Sequence, residues 1–296
     1  MTGFRTTLLA TAAGVVLAGG ISTAALATTA PFTITPDAIP GIHGYTPQVA
    51  TDIQGTSYAL VQQLGATTQY EQGIITFSSF QSSSSALSGA LTGLSLSPGF
   101  ADTYGLYATY TATVNGISSF NPGASGTIGA GGFNFTIYAD PTANDVFTAA
   151  VANSSGGTAP TVTDTTHNDV VLAYGTSLAG SAGVAPTTGA PFLDVATTFN
   201  VCNGTSTTGG CGTFDAAAYL SAPNPFYSLA LSSTISGSAN NLGTPNGGPP
   251  PNVTLNGIVT DTNFQVPEPS SLALLGTFLV ALVGFSVARR RPSLNA

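Results

Sequence analysis

Lysine is absent from all 296 residues, and the four arginines stand near the two ends, at Arg5, Arg289, Arg290 and Arg291. Every charged side chain between Thr6 and Ala288 is therefore acidic, from Asp37 to Glu268. Such a body neutralises no phosphates, which excludes nucleic acid as a partner. Lysine Schiff-base chemistry, P-loop phosphoryl transfer and arginine clamps on anionic substrates are excluded on the same ground. No internal Lys or Arg ion pair can form, so the carboxylates are solvated, hydrogen-bonded to backbone or bound to a cation.

Cysteine is nearly absent too: only Cys202 and Cys211 occur, in "VCNGTSTTGGCGTF". The spacing is not C-x-x-C, which argues against redox catalysis, and a zinc site lacks two further ligands. In an exported protein two cysteines at short spacing read as a disulfide. A ring this small stabilises by roughly 2–3 kcal/mol.

What is present begins with an export pattern. One positive charge, at Arg5, precedes an Ala/Leu/Val/Gly-rich stretch from Leu8 to Leu26, and Ala25 and Ala27 offer the small residues that a signal peptidase reads. Residues 1–27 are expected to be a signal peptide that engages the Sec machinery and is cut after Ala27. Residues 28–265 then form one exported β-rich domain. Helix formers are scarce there, and short period-two runs recur between Gly/Pro/Asn/Ser clusters. "GFNFTIYA" puts Phe133, Phe135 and Ile137 on one face and Asn134, Thr136 and Tyr138 on the other. Similar strands are expected at Thr103 to Val114, Tyr70 to Phe80, Pro191 to Val201, Pro225 to Ile235 and Asn252 to Val266. Ser82 to Leu96 fits a short helix as well as a strand, and "NNLGTPNGGPPPN" (Asn240 to Asn252) reads as a loop. The expected fold class is mainly β, an antiparallel β-sandwich or jelly-roll-like body.

Residues 266–296 read differently. Leu272 to Ala288, "LALLGTFLVALVGFSVA", is 17 residues without a charge, near the lower limit for spanning hydrocarbon. It is apolar all round rather than striped, and Arg289, Arg290 and Arg291 follow it as a positive-inside cluster. One C-terminal transmembrane helix over about 272–288 is expected. Val266, Pro267, Glu268 and Pro269, then the apolar run, then the arginines resemble the PEP-CTERM sorting signal of Gram-negative bacteria, a region also known as the C-terminal domain of ice-binding proteins. The resemblance covers about the last 30 residues. It implies recognition by a membrane-embedded exosortase, transient anchoring in the inner membrane, release near the Pro267-Glu268-Pro269 motif, and delivery to the cell surface or extracellular matrix. It is an address, not a chemistry. The body is similar to flocculation-associated PEP-CTERM proteins in "FTITPDAIPG" (Phe32 to Gly41), in "APNPFYSLALSSTISG" (Ala222 to Gly237), and in a last strand that runs into the VPEP motif. That resemblance implies a role in holding cells and exopolysaccharide together in flocs or biofilm.

The body carries few candidates for chemistry. His167 lies in "DTTHNDV" between Asp164 and Asp169, where a Ser/His/Asp set competes with a simple polar turn before "VVLAYGT". "GASGT" (Gly123 to Thr127) has the residue types of a nucleophile elbow in the wrong order. Glu71 is the only glutamate of the body, without a carboxylate nearby in sequence for glycoside hydrolysis. Asp140 and Asp145 in "YADPTANDVF", with Asp164 and Asp169, are oxygen donors of the type Ca²⁺ takes, although neither stretch is an EF-hand and Asx turns account for most of them. Thr109, Thr111 and Thr113 share one strand face, and an ice-binding surface would need that ladder repeated on neighbouring strands. The expected function is therefore non-enzymatic: a surface or matrix protein, without a cofactor unless Ca²⁺, whose Tyr and Phe residues stack on sugars. The alternatives are a secreted hydrolase acting on matrix polysaccharide or peptide, and a calcium-dependent adhesin.

Overall fold

The computed structural model describes residues 30–82, 85–86, 104–205, 208–227, 229–247 and 249–264. The signal-peptide positions Ala25 and Ala27, the sorting residues Val266, Pro267, Glu268 and Pro269, the run 272–288, and Arg289, Arg290 and Arg291 lie outside them, as does most of Ser82 to Leu96. Among the described residues no helix is long and apolar enough to cross a membrane. Thr28–Val266 forms one compact unit.

That unit is mainly antiparallel β. Ten strands matter for the site: β1 (Asp52–Gln63), β2 (Thr68–Ser82), β3 (Gly105–Asn115), β4 (Phe133–Asp140), β5 (Val146–Thr148), β6 (Thr161–Thr163), β7 (Val170–Val184), β8 (Pro191–Thr198), β9 (Leu229–Ser236) and β10 (Asn252–Phe264). Their pairings run β1, β2, β3, β4, β7, β8, β9, β10 and back to β1. Eight strands thus make a closed antiparallel circuit, which leaves no long unpaired edge to template aggregation.

Alternation explains which face turns inward. On β3, Leu106, Ala108, Tyr110, Ala112 and Val114 enter the core, while Thr109, Thr111 and Thr113 face out. On β4, Phe133, Phe135, Ile137 and Ala139 enter and Asn134, Thr136 and Tyr138 face out. Phe135, Phe199, Phe264 and Phe226 continue a chain of ring contacts through the interior, and each fully buried aromatic of this kind stabilises by roughly 1.5–3 kcal/mol. Two glycines make room for the bulk. A Cβ on Gly73 would lie 2.3 Å from the ring of Tyr110, its cross-strand partner, and one on Gly175 would lie 2.4 Å from Phe135. A small sheet of Phe32–Ile34, Gln48–Ala50 and Leu220–Ala222 packs on one end of the circuit, where Phe32 meets Phe80, Phe226 and Phe264.

Period-two reading finds β2, β3, β4, β8 and β10 but not β1. The inner positions of β1 include Gly55, Ser57 and Ala59, kept small by what faces them, so no apolar alternation shows. Ser57 Oγ lies 2.9 Å from the Tyr110 hydroxyl, and a Cβ on Gly55 would lie 3.1 Å from Phe77. The segment expected from Pro225 becomes strand only at Leu229, since Pro223 and Pro225 have no N–H for a ladder.

The connection from β4 to β7 is the feature that shapes the surface. It carries β5 and β6, an antiparallel pair hydrogen-bonded only to each other, and it lies as a strap on the outer face of the circuit. Phe147 of β5 packs on Tyr58 of β1, ring centroids 4.8 Å apart. The tip is pinned to β1 and β10. Gln62 Nε2 donates to the Gly156 carbonyl at 2.6 Å. The Asn252 amide accepts from the Asn153 N–H at 3.0 Å and donates to the Asn153 carbonyl at 2.8 Å.

Candidate functional site

Two features sit at the strap. The first is an open groove of about 430 Å³ beside it, floored by the outer face of β2, β3 and β4 and walled by Pro160, Thr161 and Val162. Register builds its floor. One row across the sheet is Gln72, Thr111, Asn134 and Thr176, and the next is Ile74, Thr109, Thr136 and Tyr174. Gln72, Thr109, Thr111, Asn134 and Thr136 line it with uncharged amides and hydroxyls on rigid strands.

The threonine ladder of β3 does not repeat on its neighbours, because Thr111 has Gln72 and Asn134 beside it and Thr109 has Ile74 on one side. Among the described residues the Phe and Tyr rings are buried or half-buried; alternation turns rings such as Tyr110, Phe133 and Phe135 into the core, while Tyr138 and Tyr174 stand half-buried on the outer face.

The second feature is the base of the strap. Two loops join it to the circuit, Asp140-Pro141-Thr142-Ala143-Asn144-Asp145 and Asp164-Thr165-Thr166-His167-Asn168-Asp169, both D-x-T-x-N-D. Their conformations match. Oδ1 of the first aspartate accepts the N–H of the third residue, at 2.9 Å for Thr142 and 3.0 Å for Thr166. Oδ2 accepts the N–H of the sixth, at 3.0 Å for Asp145 and 3.3 Å for Asp169. The fourth residue is left-handed in both, with φ 49° at Ala143 and 55° at His167. The loops are also bonded to one another: Asn168 Nδ2 donates to Thr142 Oγ1 at 3.2 Å.

In each loop the first aspartate serves the turn and the sixth is left over. Asp164 spends its oxygens on backbone; against a small burial penalty, the N–H groups of Asp169, His167, Thr166 and Asn168 hold its carboxyl below the usual range. Asp145 and Asp169 instead converge, and with Asp140 their carboxylate oxygens lie within 4.8 Å of one another. Asp145 is 4% exposed. Neither of its oxygens has a hydrogen-bond partner, nor has Asp169 Oδ1. Asp169 Oδ2 accepts from the Tyr107 hydroxyl at 2.5 Å. Burial raises both carboxyls; for Asp145 the neighbouring Asp169, Asp140 and Asp164 add to it, and for Asp169 the hydrogen bond from Tyr107 works against it.

The other candidates are not brought into a site. His43 and His167 are exposed on loops, and His167 forms part of the turn before β7, its N–H donating to Asp164 Oδ1. Glu71 faces the core, where it accepts from the Tyr110 hydroxyl at 2.6 Å. Burial pushes it up to about 7 against that hydrogen bond, and the sheet separates it from the groove. Cys202 and Cys211 are joined in a disulfide with Cα atoms 5.5 Å apart. Its loop sets Gly209 against the face of Tyr174, where a Cβ would lie 2.2 Å from the ring. The duplicated hexamer was readable in the sequence by aligning the two aspartate-rich turns with each other, and reading them separately missed it. Comparison with protein-family models, with characterised proteins and with solved structures returns no match for this chain.

Proposed function

We propose that this chain is an exported, non-enzymatic protein of the cell surface or extracellular matrix, delivered through a PEP-CTERM signal and associating with exopolysaccharide to support cell aggregation. The address rests on Val266, Pro267, Glu268 and Pro269, the apolar run and Arg289 to Arg291. We read the closed eight-stranded body as sandwich-like, with exosortase and signal peptidase as its processing partners. The observation that carries the binding half is the groove. Its lining of Gln72, Thr109, Thr111, Asn134 and Thr136 offers donors and acceptors without charge, a surface suited to the hydroxyls of a neutral glycan. The uniformly acidic body disfavours acidic polymers by repulsion.

A deletion strain tests it. Flocs or biofilm should weaken, the intact gene should restore them, and a gene carrying both Gln72→Ala and Asn134→Ala should not. Unchanged aggregation in the deletion strain sinks the reading. Mass spectrometry of the extracellular protein tests the address, and an intact C-terminus at Ala296 overturns it.

A further inference from the structure

We propose that the paired D-x-T-x-N-D loops at the base of the strap bind one Ca²⁺ through Asp140, Asp145 and Asp169. The inference stands apart from the groove and from the sorting signal. Its starting point is a charge imbalance: three carboxylates converge where the body has no lysine or arginine to answer them. Leaving such groups ionised and unpaired in a poorly solvated site costs several kcal/mol.

The second observation is the state of the oxygens. Asp145 is almost wholly buried, yet neither of its oxygens has a partner, and Asp169 Oδ1 has none. Elsewhere the loops satisfy their polar groups with care, down to matched backbone bonds in each copy. Within the two loops, the buried unsatisfied side-chain oxygens are those of Asp145 and Asp169, where the copies meet. Their spacing suits an ion: one oxygen from each carboxylate lies within 4.8 Å of the others, so a small side-chain adjustment brings all three to the Ca²⁺–oxygen distance of about 2.4 Å. Three carboxylates without nitrogen or sulfur select a hard cation. Mg²⁺ fits less well, because it keeps its water and demands a tighter octahedron. A catalytic acid pair is the other use of two close aspartates, but the oxygens of Asp145 are shut off from solvent and the pair does not line the groove.

The consequence is mechanical. The ion would join the loop that enters the strap to the loop that leaves it, and so hold Pro160, Thr161 and Val162 in place as the groove wall. The remaining coordination, about six to eight oxygens in all, would be completed by water and loop oxygens.

The full chain, purified in detergent and stripped with EDTA, provides the test. Calorimetric titration with CaCl₂ should show one site per chain. The melting temperature should rise by roughly 5–10 °C at a hundredfold excess of Ca²⁺ over its Kd, and less with Mg²⁺. Excitation of tyrosine should give Tb³⁺ emission through Tyr107, quenched by added Ca²⁺. Asp145→Asn should abolish all three responses, whereas the remote Asp261→Asn should keep them. A melting temperature indifferent to Ca²⁺ and EDTA overturns the proposal and leaves Asp145 and Asp169 sharing a proton. An undiminished response in Asp145→Asn overturns it as well. Because the parent chain alone decides the first point, the test survives a variant that fails to fold.

Discussion

Glu71 shows what a single residue does inside a barrel-like circuit. It sits opposite Ala112 on the inward face, where burial raises its carboxyl to about 7 from 4.5. The sign follows from that direction. The protonated form is favoured by folding, so this contribution is complete below pH 4.5, declines as pH rises and is fully lost above about 7. The shift corresponds to roughly 3 kcal/mol. Comparing melting temperatures of the parent chain and Glu71→Gln from pH 4 to 8 should show the parent losing stability more steeply, with the two curves diverging as pH rises. Parallel curves would show that Glu71 is ionised in the fold. Gly73 is the partner of this arrangement, since it leaves the space that the Tyr110 ring fills. Gly73→Ala should destabilise by about 1–3 kcal/mol through overpacking, measurable by urea denaturation, even though alanine is otherwise a harmless strand residue.

At the scale of the element, the strap is the piece that stands outside the ladder of the circuit. Its two short strands pair only with each other, so its position depends on the loops at its base, on Phe147 against Tyr58, and on Gln62 and Asn252 at its tip. Asn252 is fully buried and its amide makes bonds to Asn153 in both directions. Asn252→Ala should cost about 2–3 kcal/mol by leaving buried groups unpaired. Hydrogen exchange should accelerate across β5 and β6 while β3 stays protected, because the ladder beneath does not depend on the strap. Uniform acceleration through all strands would mean that the strap is integral to the circuit. Reading the sequence for periodicity does not find this element. β5 and β6 are three residues each, too short for a pattern, and the instruction that places them is the duplicated turn on either side.

For the whole molecule, closure is the governing fact. β1 and β10 pair along their length although about 200 residues separate them. The circuit therefore completes only when the last strand arrives, and folding should be slow for a domain of this size. Removing Asn252–Phe264 should leave β1 and β9 with open edges and expose the core face under Phe32. Loss of the far-ultraviolet β signal or aggregation is the expected result, and a truncated chain with the parent's spectrum and a single sharp transition would contradict it.

The sequence by itself determined the chemistry that the body lacks and the strand character of most of its segments. Both are local properties: charge is a count, and a half-buried strand writes its burial into every second residue, as in Phe133, Phe135 and Ile137. The turn-forming role of Asp140 and Asp164 was legible in the same way, from residue type and spacing. Tertiary structure decided what no window of ten residues contains. It recruited β1, whose small inner residues answer to Tyr110 and Phe77 rather than to any pattern of their own. It turned Thr111 toward Asn134 and Gln72, so that a groove replaced a ladder. It brought the leftover aspartates of two loops, 24 residues apart, into one cluster, because the strap leaves β4 and returns to β7, and those two strands are neighbours in the sheet. Which carboxylates converge depends on where strands lie in space, and that is settled only when the circuit closes.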